Sequence, residues 1–366
     1  SAPVNGPIVL VTVDALRADR LRAYGYAAGR TPAIDALASD GIVFDRAYAH
    51  VPQTLPAHAS LLTGRLPFES GVRDAAGPPL GEQTRTVAET LRDRGYATGG
   101  VVSSWLLRRD TGIARGFTFF DDERPAAATG GEPEPLMRDG VDTEQVAERW
   151  MDTVGTTRLF LFLHLADPHA PHSPPERFAD LPPYDGEVAH ADEAVGRLVR
   201  YLKSHQMYDR STIILVADHG EALGGHGERT HGLLVTEESL RVPLIVKLPG
   251  GEAAGVHVPD VVQHVDLVPT ILDLAKAPAP SGLSGRSLAS AFEGRSLPAV
   301  PVYAESYLGT YRFGWSPVVS IVEGQYRLTR GGGAPELYDL VADPAGRRNI
   351  ASEHADIVAR LERLLS

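Results

Sequence analysis

PIVLVTVD (residues 7–14) is an apolar, mostly β-branched run that ends abruptly on a carboxylate. The pattern recurs in RLFLFLHLADPH (158–169), which carries His164, Asp167 and His169, and in STIILVADHG (211–220), which ends in Asp218 and His219. Each apolar run is about six residues long and does not alternate with polar residues, as expected of a strand covered on both faces. Helical patterns separate these runs: TPAIDALASDG (31–41), TVAETLRDRG (86–95), TEQVAERWMDTV (143–154) and EVAHADEAVGRLVRYLKSH (187–205). Strand–helix alternation predicts an α/β sandwich around a central, mostly parallel sheet. Ligands bind at the carboxyl ends of such strands, and three strands here deliver Asp or His to those ends.

The texture changes after about Leu297. PAVPVYAES, PVVSIVEGQYRLTRGGG and PELYDLVADPAGRRNIA read as short strands with a hairpin, followed by the amphipathic helix EHADIVARLERLLS. The expected division is a catalytic domain over 1–296 and a smaller C-terminal α/β subdomain over 297–366. QHVDLVPTILDLA (263–275) reads as a helix, and the Pro-, Gly- and Ala-rich stretch 123–140 as a surface loop.

A formal charge of −12 disfavours nucleic acid and anionic membrane as partners, since both need basic surface. A small anionic ester is the expected substrate, met by local positive charge from a metal or from histidines. The absence of cysteine removes thiolate ligands, disulfides and a cysteine nucleophile. No apolar run approaches the roughly 18 residues that a transmembrane helix needs. The chain starts Ser-Ala-Pro, which fits removal of an export signal and equally a cloning remnant. A periplasmic or secreted location is favoured over the cytoplasm; oligomeric state is open.

Two further stretches carry chemistry. TLPAHASLLTGR (54–65) opens on a hydroxyl residue, Thr54, followed at a distance of four by His58. VADHGEALGGHGERTHG (216–232) places Asp218 and His219 at a strand end with His226 and His231 downstream, a mixture of hard and borderline metal ligands.

Together with DALRADRL, DPHAPH, YDGEVAHAD, ESLRVPLIVKLPG and ELYDLVADPAGRRNIA in the same order, these stretches resemble the sulfatase branch of the alkaline phosphatase superfamily. The resemblance implies a metal held by Asp14, Thr54, Asp218 and His219, with the Thr54 oxygen as both ligand and nucleophile. In sulfatases the nucleophile position is a Cys or Ser that is oxidised to formylglycine, and threonine cannot be converted. The usual second aspartate after the first strand is Ala15 here, and the usual Asn of the later pair is His219. Trading a carboxylate for an imidazole shifts the expected metal from calcium towards zinc, with manganese or calcium as alternatives, in one or two ions.

His231 stands where sulfatases place a sulfate-holding lysine. The phosphoethanolamine transferases resemble this arrangement: a threonine nucleophile, Asp-His-Gly-Glu with a following histidine, and a histidine pair like His164 and His169. By that resemblance His164, His169 and His231 contact substrate, or His169 and His231 complete a second metal site; Asp167 and His172 are candidates to join them, as phosphodiesterases of the superfamily hold a second metal with one Asp and two His. His169 or His231, with a side chain that titrates near neutral pH, serves as general acid. His58 replaces a sulfatase arginine and either steadies the reacting oxyanion or is a helix-face histidine packed against SLLTG. The expected activity is metal-dependent hydrolysis of phosphate esters, either phosphodiesters or phosphonate monoesters, through a phospho-Thr54 intermediate. A sulfatase and a headgroup transferase are the alternatives.

Overall fold

The computed structural model describes residues 6–124, 137–155 and 158–365. Eight strands form the larger sheet: β1 (Ile8–Val13), β2 (Ile42–Tyr48), β3 (Ala97–Val102), β4 (Phe119–Asp121), β5 (Leu159–Leu165), β6 (Thr212–Ala217), β7 (Arg241–Lys247) and β8 (Val256–Gln263). Their order is β4-β3-β5-β1-β6-β7-β2-β8. Only the two pairings made by β7 are antiparallel, so the sheet is mostly parallel, as expected from the alternation of apolar runs and helices. Strands β1, β5 and β6 are buried at every position, which explains their unbroken apolar sequence. Each fully buried Phe or Leu there contributes roughly 1.5–3 kcal/mol.

Register matters most for the site. Val13 of β1 lies level with Leu165 of β5 on one side and Ala217 of β6 on the other. The next residues, Asp14 and Asp218, therefore leave the sheet side by side. The helix Gly140–Val154 covers β3 and β5 and packs on the helix Pro183–Ser204. Gly99 in β3 makes room for it, because a Cβ there would sit 2.6 Å from the Trp150 ring.

The helix Thr54–Thr63 is buried along its whole length and stops at Gly64, whose φ of 66° terminates it in a left-handed cap. It follows β2 after the short connection 49–53, whose last residue, Gln53, is extended.

The second sheet contains β9 (Val302–Ser306), β10 (Val318–Glu323), β11 (Tyr326–Arg330) and β12 (Glu336–Asp339), all antiparallel, in the order β12-β11-β10-β9. The helix Ala355–Leu365 closes over β10 and β11, burying Val358 and Leu361. Arg327 of β11 reaches Glu237, just ahead of β7, at 3.2 Å in a buried ion pair that joins the two sheets.

The stretch 263–275, read as one helix, instead ends strand β8 at Gln263, makes a single 3-10 turn (His264–Asp266) and then a shorter helix, Leu267–Leu274. The stretch 123–140 lies outside the described residues from 125 to 136. Among the described residues no helix is long and apolar enough to cross a membrane.

Candidate active site

Asp14, Thr54, Asp218 and His219 meet at the carboxyl end of the large sheet, all buried. The Thr54 hydroxyl donates to Asp14 Oδ2 over 3.3 Å and lies 3.5 Å from His219 Nε2. As the first residue of its helix, Thr54 also sits at the positive end of the helix dipole, which favours an oxyanion there.

The tautomer of His219 follows from its partners. Nδ1 lies 2.8 Å from the Gly220 carbonyl, which can only accept, so Nδ1 carries the hydrogen. Nε2 then presents its lone pair to Asp14 Oδ1 at 3.3 Å and to Asp218 Oδ2 at 3.6 Å. Neither of those oxygens has a hydrogen-bond partner. Burial, then the neighbouring His231, pushes the His219 pKa well below its ordinary value, so no proton relieves the repulsion. Burial and the charge of Asp14 push Asp218 well up, the usual response of two buried carboxylates held together. Asp218 Oδ1 is anchored by the amides of Ala15 and His219, which aims Oδ2 at the cluster.

Inward-facing carboxylate oxygens without hydrogen-bond partners, beside the imidazole Nε2, fit a divalent cation, whose charge would take the place of the proton that burial favours on Asp218. Asp14, Asp218 and His219 offer ligand atoms all within 4.8 Å of one another. Two carboxylates and an imidazole suit zinc or manganese and are too few oxygens for a typical calcium cage.

His231 stacks near His219, with ring centroids 4.2 Å apart, and lies 4.9 Å from the His169 ring. Its Nδ1 is 3.3 Å from both oxygens of buried Glu221. Burial lowers the His231 pKa, but the hydrogen bond and charge of Glu221 outweigh it, and the net shift is upward. Residue type alone assigns Glu221 no role, and its place in Asp-His-Gly-Glu is the signal that marks it. Gly220 between them is required by close approach, since a Cβ there would lie 1.9 Å from the Glu238 carbonyl oxygen.

The expected second metal site is not assembled. Among the described residues, neither group of converging ligands contains Asp167, His169, His172 or His231. Asp167 turns away: its Oδ2 accepts from the Gly140 amide at 3.0 Å, burial raises its pKa, and burial together with Asp167 raises Glu187 to about 7. A carboxyl pair sharing a proton is a poor cation ligand. His169 donates Nδ1–H to the Ala170 carbonyl at 2.6 Å and keeps Nε2 free. His172 faces Glu221 Oε2 at 4.0 Å.

His58 and His164, expected at the substrate, are fully buried. His58 donates Nδ1–H to the Thr54 carbonyl (2.7 Å) and accepts from Thr12 at Nε2 (2.9 Å), while burial and His164 push its pKa down to about 3. With both nitrogens engaged and the ring neutral, its geometry is that of the helix-face alternative. His164 pairs with Thr12 in the β1–β5 register, two residues below Asp14, and so forms part of the floor.

A family model described as "Sulfatase" matches residues 7–277, which includes every one of these side chains. The chain belongs to the sulfatase family. A second model, "N-sulphoglucosamine sulphohydrolase, C-terminal", matches residues 227–366. Among curated sulfatases, the ulvan-active sulfatase of Formosa agariphila is 25% identical, over 95% of this chain and 77% of its own length. Human arylsulfatase A is 28% identical over 92% of this chain and 77% of its own. The crystal structure of the phosphonate monoester hydrolase of Agrobacterium radiobacter superposes with a TM-score of 0.83 at 22% identity, covering 98% of this chain and 95% of that one; this likeness concerns the fold. The chain is thus a hydrolase-type enzyme of a metal-dependent family, and the named curated relatives are sulfatases.

Proposed function

We propose that this sulfatase-family enzyme hydrolyses phosphate or phosphonate esters, with Thr54 Oγ1 as the nucleophile. The observation that supports this most is a threonine hydroxyl, 3.3 Å from Asp14 and 3.5 Å from His219, at the head of a buried helix in a chain without cysteine. Formylglycine is regenerated by breaking its own carbon–oxygen bond, which threonine cannot do. A phospho-threonine is cleared instead by water attacking phosphorus in line.

Asp14, Asp218 and His219, with the Thr54 oxygen, would hold the cation. A divalent ion there supplies Lewis-acid charge that lets a hydroxyl ionise near neutral pH and offsets charge on the reacting oxygens. Asp14 Oδ2 aligns the Thr54 hydroxyl, and the helix N-terminus favours its alkoxide. Thr54 Oγ1, its proton released to solvent, attacks phosphorus as the alkoxide while the ester oxygen departs opposite. His231, protonated and oriented by Glu221, gives its Nε2 proton to that oxygen. The neutral imidazole then takes a proton from water as it attacks phospho-Thr54, which frees Thr54 as the alkoxide for the next turnover and recharges His231. His169, across from His231, would hold a non-bridging oxygen in its protonated form, with Nε2–H added to the Nδ1–H committed to the Ala170 carbonyl.

The second reading is sulfate-ester hydrolysis. The family and its named relatives favour it over the phosphate reading, which rests on Thr54 alone. The deciding experiment compares aryl phosphodiester, phosphonate monoester and sulfate ester on zinc- or manganese-loaded protein, and maps any trapped adduct by mass spectrometry. Phosphorus on Thr54 supports the proposal. Efficient sulfate turnover with no adduct on Thr54 would sink it.

A further inference from the structure

The floor of the site contains an imidazole with nothing to bind. His164 is completely buried, and neither ring nitrogen has a hydrogen-bond partner. Leaving two buried polar atoms unpaired costs roughly 1–3 kcal/mol each, so such a residue is retained where something completes it. Its Nε2 points at the cluster, 3.5 Å from Asp14 Oδ2, the oxygen that also receives the Thr54 hydroxyl. His164 further shares a converging ligand group with Asp218 and His58, all within 4.8 Å, and Asp218 is the member this group has in common with that of Asp14 and His219. His58 cannot serve there, because its Nδ1 hydrogen is committed to the Thr54 carbonyl and its Nε2 lone pair to Thr12. Neither nitrogen of His164 is committed to a hydrogen bond of that kind. Ala15, directly after Asp14, supplies no donor.

We propose that His164 is a ligand of the cation held by Asp14, Asp218 and His219, approaching from the floor and replacing the donor that Ala15 lacks. This rests on the reading of that cluster as a metal centre. The donor set becomes two carboxylates and two imidazoles beside Thr54, which favours zinc over calcium. It also separates the histidines by role. His164 lies on the metal side, below Asp14, while the partly exposed His169 and His231 face the substrate side.

The test is metal binding by the full chain, stripped with chelator and reloaded. Zinc is titrated in competition with a chromophoric chelator, and cobalt(II) is substituted to read its visible ligand-field bands. Wild type should bind zinc stoichiometrically. His164→Ala should weaken zinc by at least about tenfold and shift the cobalt bands as a nitrogen donor is lost. If His164→Ala fails to fold by thermal melting of the apo form, His164→Gln gives the same readout with the cavity filled. Unchanged zinc affinity together with superimposable cobalt spectra would overturn the assignment. If wild type takes up no zinc, or if Asp218→Asn binds zinc normally, the metal-centre reading itself fails, irrespective of His164.

Discussion

Removing His231 should cost most where the leaving group needs a proton most. In the proposed mechanism His231 is the general acid, held by both oxygens of Glu221 at 3.3 Å and packed between the rings of His219 and His169. General-acid assistance typically contributes about 10²–10⁴ in rate, or roughly 3–5 kcal/mol of barrier. His231→Ala should therefore lower kcat/KM by about that factor for an alkyl phosphodiester or phosphonate, and by no more than about tenfold for a p-nitrophenyl ester. Glu221→Gln keeps the hydrogen-bond acceptor but removes the charge. In the folded chain burial lowers the His231 pKa and Glu221 raises it further, for a net upward shift. The acid form is complete at low pH and is lost as pH rises through the folded pKa. Without the carboxylate that pKa falls, so the alkaline limb of kcat/KM should move to lower pH than in wild type. The same linkage means the pair stabilises the fold below the ordinary histidine range and ceases to do so above the folded pKa. The assay is a pH series on the two leaving-group classes with both variants. Equal losses for alkyl and aryl esters, or an unmoved alkaline limb in Glu221→Gln, would refute His231 as the acid.

Thr54→Ala should abolish turnover, by at least about 10³, while zinc remains bound; Thr54→Ser keeps the hydroxyl and should stay within about tenfold. Near-normal rates for the alanine variant would remove Thr54 from the mechanism. Asp218→Ala should lose metal and activity together, checked by elemental analysis of the purified protein. Gly220→Ala forces a Cβ against the Glu238 carbonyl, so it should destabilise by about 1–3 kcal/mol or more in urea and displace His219 and Glu221 together. Arg327→Ala leaves the buried Glu237 with the Tyr48 hydroxyl but no paired cation and should cost about 3–5 kcal/mol; a loss below about 1 kcal/mol would show that the two sheets do not depend on this pair.

Much of the fold was legible because burial on both faces leaves a strong trace. β1, β5 and β6 are unbroken apolar runs, and their ends carry the acids that mark the site. Strands β2, β3, β4, β7 and β8 did not stand out. β3 is half small residues (ATGGVV), β7 contains Pro243, and β8 has an exposed, alternating first half. The break between β8 and the following helix was hidden because one turn of 3-10 structure keeps a helical apolar spacing. The division at residue 296, which we propose as the domain boundary, falls ahead of every strand of the second sheet.

The sequence by itself determined the class of fold and the set of acids, histidines and hydroxyls available, because these depend on residue type and order along one chain. It could not decide which of them face one another. Asp14 and Asp218 became neighbours through the β1–β6 register. Asp167 was drawn off by the Gly140 amide and Glu187, contributed by two helices far apart in sequence. Glu221 acquired His231, and His164 was left bare beneath Asp14. These are outcomes of packing between distant segments, where a rotation of one side chain converts a ligand into a hydrogen-bond acceptor. Only the assembled sheet and its covering helices fix that choice.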